Sequence, residues 1–324
     1  MRSDLLPPGA ESLRGFAKRL LRAGTLLFAL GTAAAVRAAE PLPTPTPVPT
    51  GLAVLPGFET MTLFGGGTDQ IEVTKDSLDY GALHWESSDP SVALVEEHGV
   101  VIALKKGECT VTGTDADGSG QTVETAVRVT GDRKKPAVPK SLQGLCYRRK
   151  EKFSVAERRS VERIVNGLKQ KVSDGTADTG ERIACAALGY LGRNYGTRKD
   201  HVDCSMLLFW SAYDCGLSVS RRSDWQAEEL LPYEVTDGNY RAGDFLFLGA
   251  QEGDSCRCDG ECTRFRRIHH AAVLLAPYEE GWLVVEASSV LKRVVIRLWD
   301  GSPVHAGFDV ASVSRPAARS AAER

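Results

Sequence analysis

The sequence predicts two folded domains of different class, an all-β sandwich followed by an α+β domain. Three observations carry this reading. Short β-branched runs, punctuated by Gly, Asp and Ser, fill residues 51–131. Helical periodicity governs the stretch that begins at residue 154. From Gly243 onward the period changes to the alternation of strands, so helices precede an antiparallel sheet.

The chain has 324 residues, enough for two ordinary domains plus tails. With 42% hydrophobic and 25% charged residues it can build packed cores, which excludes wholesale disorder. A net charge of −2 gives no global electrostatic argument for nucleic acid or an anionic surface.

Residues 1–39 read as a targeting segment. Lys18, Arg19 and Arg22 form a basic flank, and "AGTLLFALGTAAAV" is an apolar run too short for a comfortable membrane span. Small residues at Ala38 and Ala39 suit a signal peptidase; an uncleaved anchor is the alternative. Either way the rest of the chain is expected outside the cytoplasm, secreted or held at the cell surface. Residues 40–50, "EPLPTPTPVPT", alternate proline with other residues and read as an extended linker.

In the sandwich region, "DQIEVT", "LHWESSD", "SVALVEE", "GVVIALKKG", "ECTVTGTDADG" and "VETAVRVT" read as strands. Trp85 is the expected aromatic plug between the sheets, and Cys109 a strand residue of the core. Residues 132–153, polar and broken by proline, read as a second linker.

The α+β domain is expected over residues 154–324. Its first helix starts at a capping box of Ser154 and Glu157, with Val155, Val161, Ile164, Val165 and Leu168 as its apolar stripe. "TADTGERIACAALGYLGRNYG" reads as a second helix, ending near Gly192 and Gly196, and "CSMLLFWSAYDCGL" as a third. "GDFLFLGA", "HHAAVLLAP", "GWLVVEASS", "RVVIRLW" and "FDVASVSRP" read as strands.

Cys204 opens the third helix, directly after Asp203. A thiol there meets the positive end of the helix dipole and the unpaired first-turn N–H groups, which favour the nucleophilic thiolate. A buried, inert cysteine is the alternative. Cys185 and Cys215 lie within helices, away from such an end.

A thiolate needs a base. Of six histidines, His84 and His98 fall in the sandwich, His201 in the turn before Cys204, and His305 near the C-terminus. His269 and His270 open a strand and point to opposite faces of it. "PYEEG" makes this strand and the next a hairpin; centring the turn near Glu279 sets Glu286 opposite Ala272, on the face of His270. A carboxylate in an apolar strand calls for a partner; a solvent-facing Glu286 is the alternative.

"GDSCRCDGECTRFRR" reads as a loop inserted before the His strand. Cys256, Cys258 and Cys262 could ligate zinc with His269 as a fourth donor, but export favours oxidation to a disulfide, and no metal is assigned.

Two family resemblances rest on these residues. The stretch "HWESSDPSVALVEEHGVVIALKKGECTVTGTDADGS" resembles the bacterial Ig-like group 2 domain, a structural and adhesive module. That resemblance implies a spacer or a weak wall-binding domain. "NYG", "VDCSMLLFW", "YRAGDFLFLG", "HAAVLLA", "VVEASS" and "SVSRP" together resemble the NlpC-type cell-wall endopeptidases, papain-like cysteine peptidases, over residues 179–316.

The second resemblance implies a papain-like α+β fold with Cys204 as nucleophile, His270 as base and Glu286 as the third polar residue, a position more often His, Asn or Gln in the family. Tyr195, Asp203 and Ser205 fall at cleft positions. Met206 replaces the small residue that follows D-C-S in the family. The implied substrate is the peptidoglycan stem peptide, cut between D-γ-glutamyl and the following diamino acid by a monomer without a cofactor. Two alternatives stand beside it: a related amidase cutting between muramic acid and L-alanine, and an inactive wall-binding or adhesive protein.

Overall fold

A computed structural model describes residues 52–74, 83–116, 119–251, 261–301 and 308–316. The segments expected as targeting sequence and Pro/Thr linker, together with Cys256, Cys258 and His305, lie outside the described residues.

The N-terminal domain carries β1 (Ala53–Val54), β2 (Thr60–Leu63), β3 (Thr68–Gln70), β4 (Val73–Thr74), β5 (Leu83–Ser87), β6 (Ala93–Val95), β7 (Val100–Ala103), β8 (Gly107–Asp115) and β9 (Thr122–Val129). One sheet runs β2-β9-β8-β5 and another β3-β7-β6, with β1 and β4 paired beside them. Alternating burial along β8 and β9 follows from their alternating sequence, with one face in the core and one in water. Trp85 is buried in that core, as expected, and so is Cys109. Gly113 leaves room for the indole: a Cβ there would lie 2.8 Å from it.

The segment expected as a linker, 132–153, is instead built into the second domain. Leu142 is buried, and β10 (Cys146–Arg148) and β11 (Glu151–Lys152) form a hairpin whose β10 pairs with β15 (Arg293–Trp299) in parallel. Strands of two and three residues are too short to show a period, which is why sequence reading passes over them. Arg133 holds the start of the segment down: it donates to Asp214 at 2.8 Å and to the Tyr190 hydroxyl at 2.7 Å, and stacks 3.9 Å over the Trp210 ring.

The helices follow as α1 (Val155–Ser173), α2 (Thr179–Leu188), α3 (Cys204–Tyr213) and α4 (Ser223–Glu229). The Ser154–Glu157 capping box is present, and Asp178 with Glu181 makes a second at α2. In α1, Val161, Val165 and Leu168 are buried, whereas Val155, expected in the same stripe, is exposed because the first turn precedes the packed region. α3 is apolar almost all round, and its first nine residues are buried, the mark of a core helix.

The strands β12 (Phe245–Ala250), β13 (Ile268–Tyr278), β14 (Gly281–Ser288), β15 and β16 (Phe308–Ser314) complete a seven-stranded sheet of order β11-β10-β15-β14-β13-β12-β16. Side chains from α1, α2 and α3 share one core with Phe245, Val273, Val285 and Ile296 of the sheet. Leu246, Leu274, Val284 and Trp299 make a smaller cluster of their own. This is the expected α+β arrangement of helices on an antiparallel sheet.

The two domains pack as one compact unit. β7 shows how. Val101 and Ala103 belong to the sandwich core, while Val100 and Ile102 belong to the core of the α+β domain. Both faces of β7 are therefore covered, which accounts for its unbroken apolar sequence.

Candidate active site

Cys204 is the first residue of α3. Asp203 caps that helix, its carboxylate accepting from the Met206 N–H at 2.8 Å. The cap satisfies one first-turn donor and leaves the thiol at the positive helix end.

Opposite stand two adjacent strands. Ala272 pairs with Glu286, the register expected from the hairpin turn, so His270 and Glu286 lie diagonally on one face. His270 Nε2 donates to Glu286 Oε2 across 2.8 Å, and both side chains are buried. The Cys204 side chain lies close enough to the imidazole to raise its basicity. With Nε2 taken by Glu286, Nδ1 is the nitrogen left for the thiol.

Burial alone would lower the basicity of His270. The neighbouring Cys204 side chain and the hydrogen-bonded carboxylate of Glu286 outweigh it, and the imidazole is raised to about 10.

The carboxylate of Glu286 has a second anchor. Arg297 on β15 reaches it with Nη2 at 2.5 Å, and Arg297 also donates to Ser288 Oγ at 3.1 Å. The sheet register explains the contact. Glu286 pairs with Val295 and Val284 with Arg297, so the two charges are diagonal neighbours on one face. A buried carboxylate is costly unless paired, and Arg297 supplies the counter-charge. Sequence reading missed it, although an arginine inside "RVVIRLW" carries the same signal as a glutamate inside "WLVVEAS".

His269 lines the same cavity as Cys204 but its ring is turned to Cys262. Its Nε2 is 3.3 Å from Cys262 Sγ, and burial together with the charge of Arg264 holds its basicity below the usual range. Its backbone carbonyl lies 4.0 Å from Cys204 Sγ. His201 is turned to the Tyr195 carbonyl, at 3.2 Å.

Cys204 opens into a cleft of ≈310 Å³ that Tyr195, Asp203 and Ser205 also line. The polar groups of the last two are already engaged. Arg221 donates to Asp203 at 2.7 and 3.1 Å and to Ser205 Oγ at 2.7 Å. Asp203 and Ser205 thus build the cleft floor around the helix start. Arg221 was not legible in the sequence, because nothing in "SVSRRSDW" distinguishes it from its neighbour Arg222. Met206, the departure from the family pattern, lines a separate cavity of ≈440 Å³ that contains neither Cys204 nor His270. Its side chain does not shape the cleft beside the thiol.

Residues 58–126 match the family described as bacterial Ig-like domain (group 2). A 3-O-α-D-galactosyl-α-L-arabinofuranosidase of Bifidobacterium longum is 38% identical over 82 residues, covering 25% of this chain and 7% of that protein. An uncharacterized Clostridium acetobutylicum protein is 43% identical over 67 residues, 19% of this chain and 17% of its own length. The chain therefore spans only a small part of these relatives.

Among solved structures, NlpC1 of Trichomonas vaginalis is similar at 19% identity and a TM-score of 0.34, over 43% of this chain and 45% of that one. An NlpC/P60 family protein of Bacillus cereus gives 16% identity and a TM-score of 0.31, over 42% and 40%. The first module of the chain is matched by the bacterial Ig-like group 2 family, and the α+β domain after it is similar to NlpC/P60 structures.

Proposed function

We propose that this chain is a cysteine peptidase that hydrolyses peptidoglycan outside the cytoplasm. The observation that supports this most is the buried relay from Cys204 through His270 to Glu286, opening at a cleft. A relay of nucleophile, base and orienting acid is what acyl transfer requires. A purely adhesive protein has no use for a buried histidine–glutamate pair beside a thiol at a helix start.

In this reading the Cys204 thiolate attacks the amide carbon of a stem peptide. First-turn N–H groups of α3 face the developing oxyanion. The imidazolium of His270 gives its proton to the leaving amine, and a new thioester joins substrate to Cys204. Water then attacks the thioester, His270 takes its proton, and the acid product leaves with the thiol restored. Glu286 keeps the imidazole in the tautomer that presents Nδ1 to the sulfur, and Arg297 supplies the counter-charge to Glu286. No step calls for a cofactor.

The bond assigned is that between D-γ-glutamyl and the following diamino acid, as the NlpC-type resemblance implies. Digestion of purified peptidoglycan, with muropeptides identified by mass spectrometry, tests it. Fragments ending in D-γ-glutamate support the endopeptidase. Free muramic acid carboxyls with intact stem peptides would make the enzyme an amidase instead.

A further inference from the structure

The Ig-like module reaches the cleft. Thr68, Gln70 and Val100, from β3 and the strand beside it, line the same cavity as Cys204. From the other side the cavity is closed by Trp225 and Arg264 of the α+β domain.

This juxtaposition is fixed by polar contacts and stacking rather than by a flexible tether. Arg221 spans the boundary, donating through Nε to Thr68 Oγ1 at 3.1 Å while its other nitrogens hold the cap of α3. Its backbone N–H donates to Glu96 Oε2 at 2.9 Å. The His98 ring lies 3.7 Å from that of Trp225. Gln70 in turn donates to the His98 carbonyl at 2.9 Å, which fixes its amide at the cleft wall. With Val100 and Ile102 packed into the α+β core, the module cannot swing away without exposing apolar surface.

We propose that the Ig-like module is the second wall of the substrate cleft and a specificity-determining part of the enzyme, with Gln70 contacting an extended peptide as it leads to Cys204. The proposal rests on Cys204 being the nucleophile. It replaces the role of spacer expected from the sequence. β3 is the outer strand of its sheet, so it offers a peptide both side chains and a backbone edge.

The test uses the full chain and reads only alkylation at Cys204, by mass spectrometry of its peptide. Two electrophiles are compared, small iodoacetamide and a peptidyl chloromethyl ketone. Gln70→Trp, which fills the wall, should slow the peptidyl reagent at least about tenfold while iodoacetamide reacts as in the wild type. Gln70→Ala, which adds no bulk, controls for folding and should change the peptidyl rate less. Unchanged peptidyl rates in Gln70→Trp would overturn the proposal, as would faster reaction of both reagents in Gln70→Ala, which would make the wall a plug. If instead the wild type modifies Cys204 selectively yet cuts no peptidoglycan, the functional reading fails while the wall is still measured.

Discussion

Glu286 and Arg297 form an ion pair that water does not reach, and the same carboxylate holds His270 at 2.8 Å. The carboxylate that the proposed mechanism uses is thereby kept in the interior by a second charge. Arg297→Ala leaves that buried carboxylate with His270 as its remaining partner and is expected to cost about 3 kcal/mol of stability. Arg297→Lys keeps a charge but loses the planar fork, and should fold with reduced kcat and little change in KM. The double change Glu286→Gln with Arg297→Met should recover stability but not activity. Denaturant unfolding and turnover, measured on the same preparations, separate the two effects.

The pH dependence follows from His270. Its basicity is raised from 6.5 to about 10 in the folded protein. The stabilisation this brings is full below about pH 6.5, declines as pH rises from there, and is gone above about 10. Activity that needs the imidazolium should hold through neutral pH and fall as pH approaches 10. In Glu286→Gln one of the supports of the proton is removed, and the alkaline fall should move to lower pH. A pH–rate profile for both proteins checks the shift; identical alkaline limbs would contradict it.

A second titration sits at the boundary between the domains. Burial, together with the charge of Glu229, raises the Glu96 carboxyl from 4.5 to about 8, against the Arg221 N–H and the Arg221 charge, which lower it. The packed boundary therefore favours protonated Glu96. Its stabilisation is complete below about pH 4.5 and is lost as pH rises to about 8. Glu96→Gln should flatten the fall in melting temperature across that window, and an unchanged slope would show that Glu96 does not report on the contact.

The remaining cysteines and the neighbouring histidine should be dispensable for chemistry. Cys185 and Cys215 are half-buried, and burial pushes both thiols up, away from the reactive form. Cys185→Ala and Cys215→Ala should retain wild-type turnover. His269→Ala should keep substantial activity, since its imidazole faces Cys262, whereas His270→Ala should lose at least about 100-fold. Equal losses at His269 and His270 would move the base by one residue.

Much of this was legible in the sequence, for reasons that can be named. The Ser154–Glu157 box fixed the start of α1 because capping is local chemistry, and Asp203 before Cys204 marked the start of α3 in the same way. The Ala272–Glu286 pair could be found because a short turn sets hairpin register. What escaped was non-local. β10 joins the sheet through a strand about 150 residues away, and no pattern in three residues announces that. The apolar run of β7 was read only as a strand of the sandwich; its second covered face depends on the other domain. Arg221 acquires its role only where the cap of α3 and Thr68 come together.

The central claim is that Cys204, activated by His270, cuts peptides of the cell wall. The most direct measurement is the release of new amino groups from purified peptidoglycan by wild type, Cys204→Ala, His270→Ala and the double variant, each checked for folding by circular dichroism. The account predicts release by the wild type and loss in both single variants. It also predicts a double variant no worse than either, because the two residues act as one unit. Wild-type release that persists in a folded Cys204→Ala protein would contradict it.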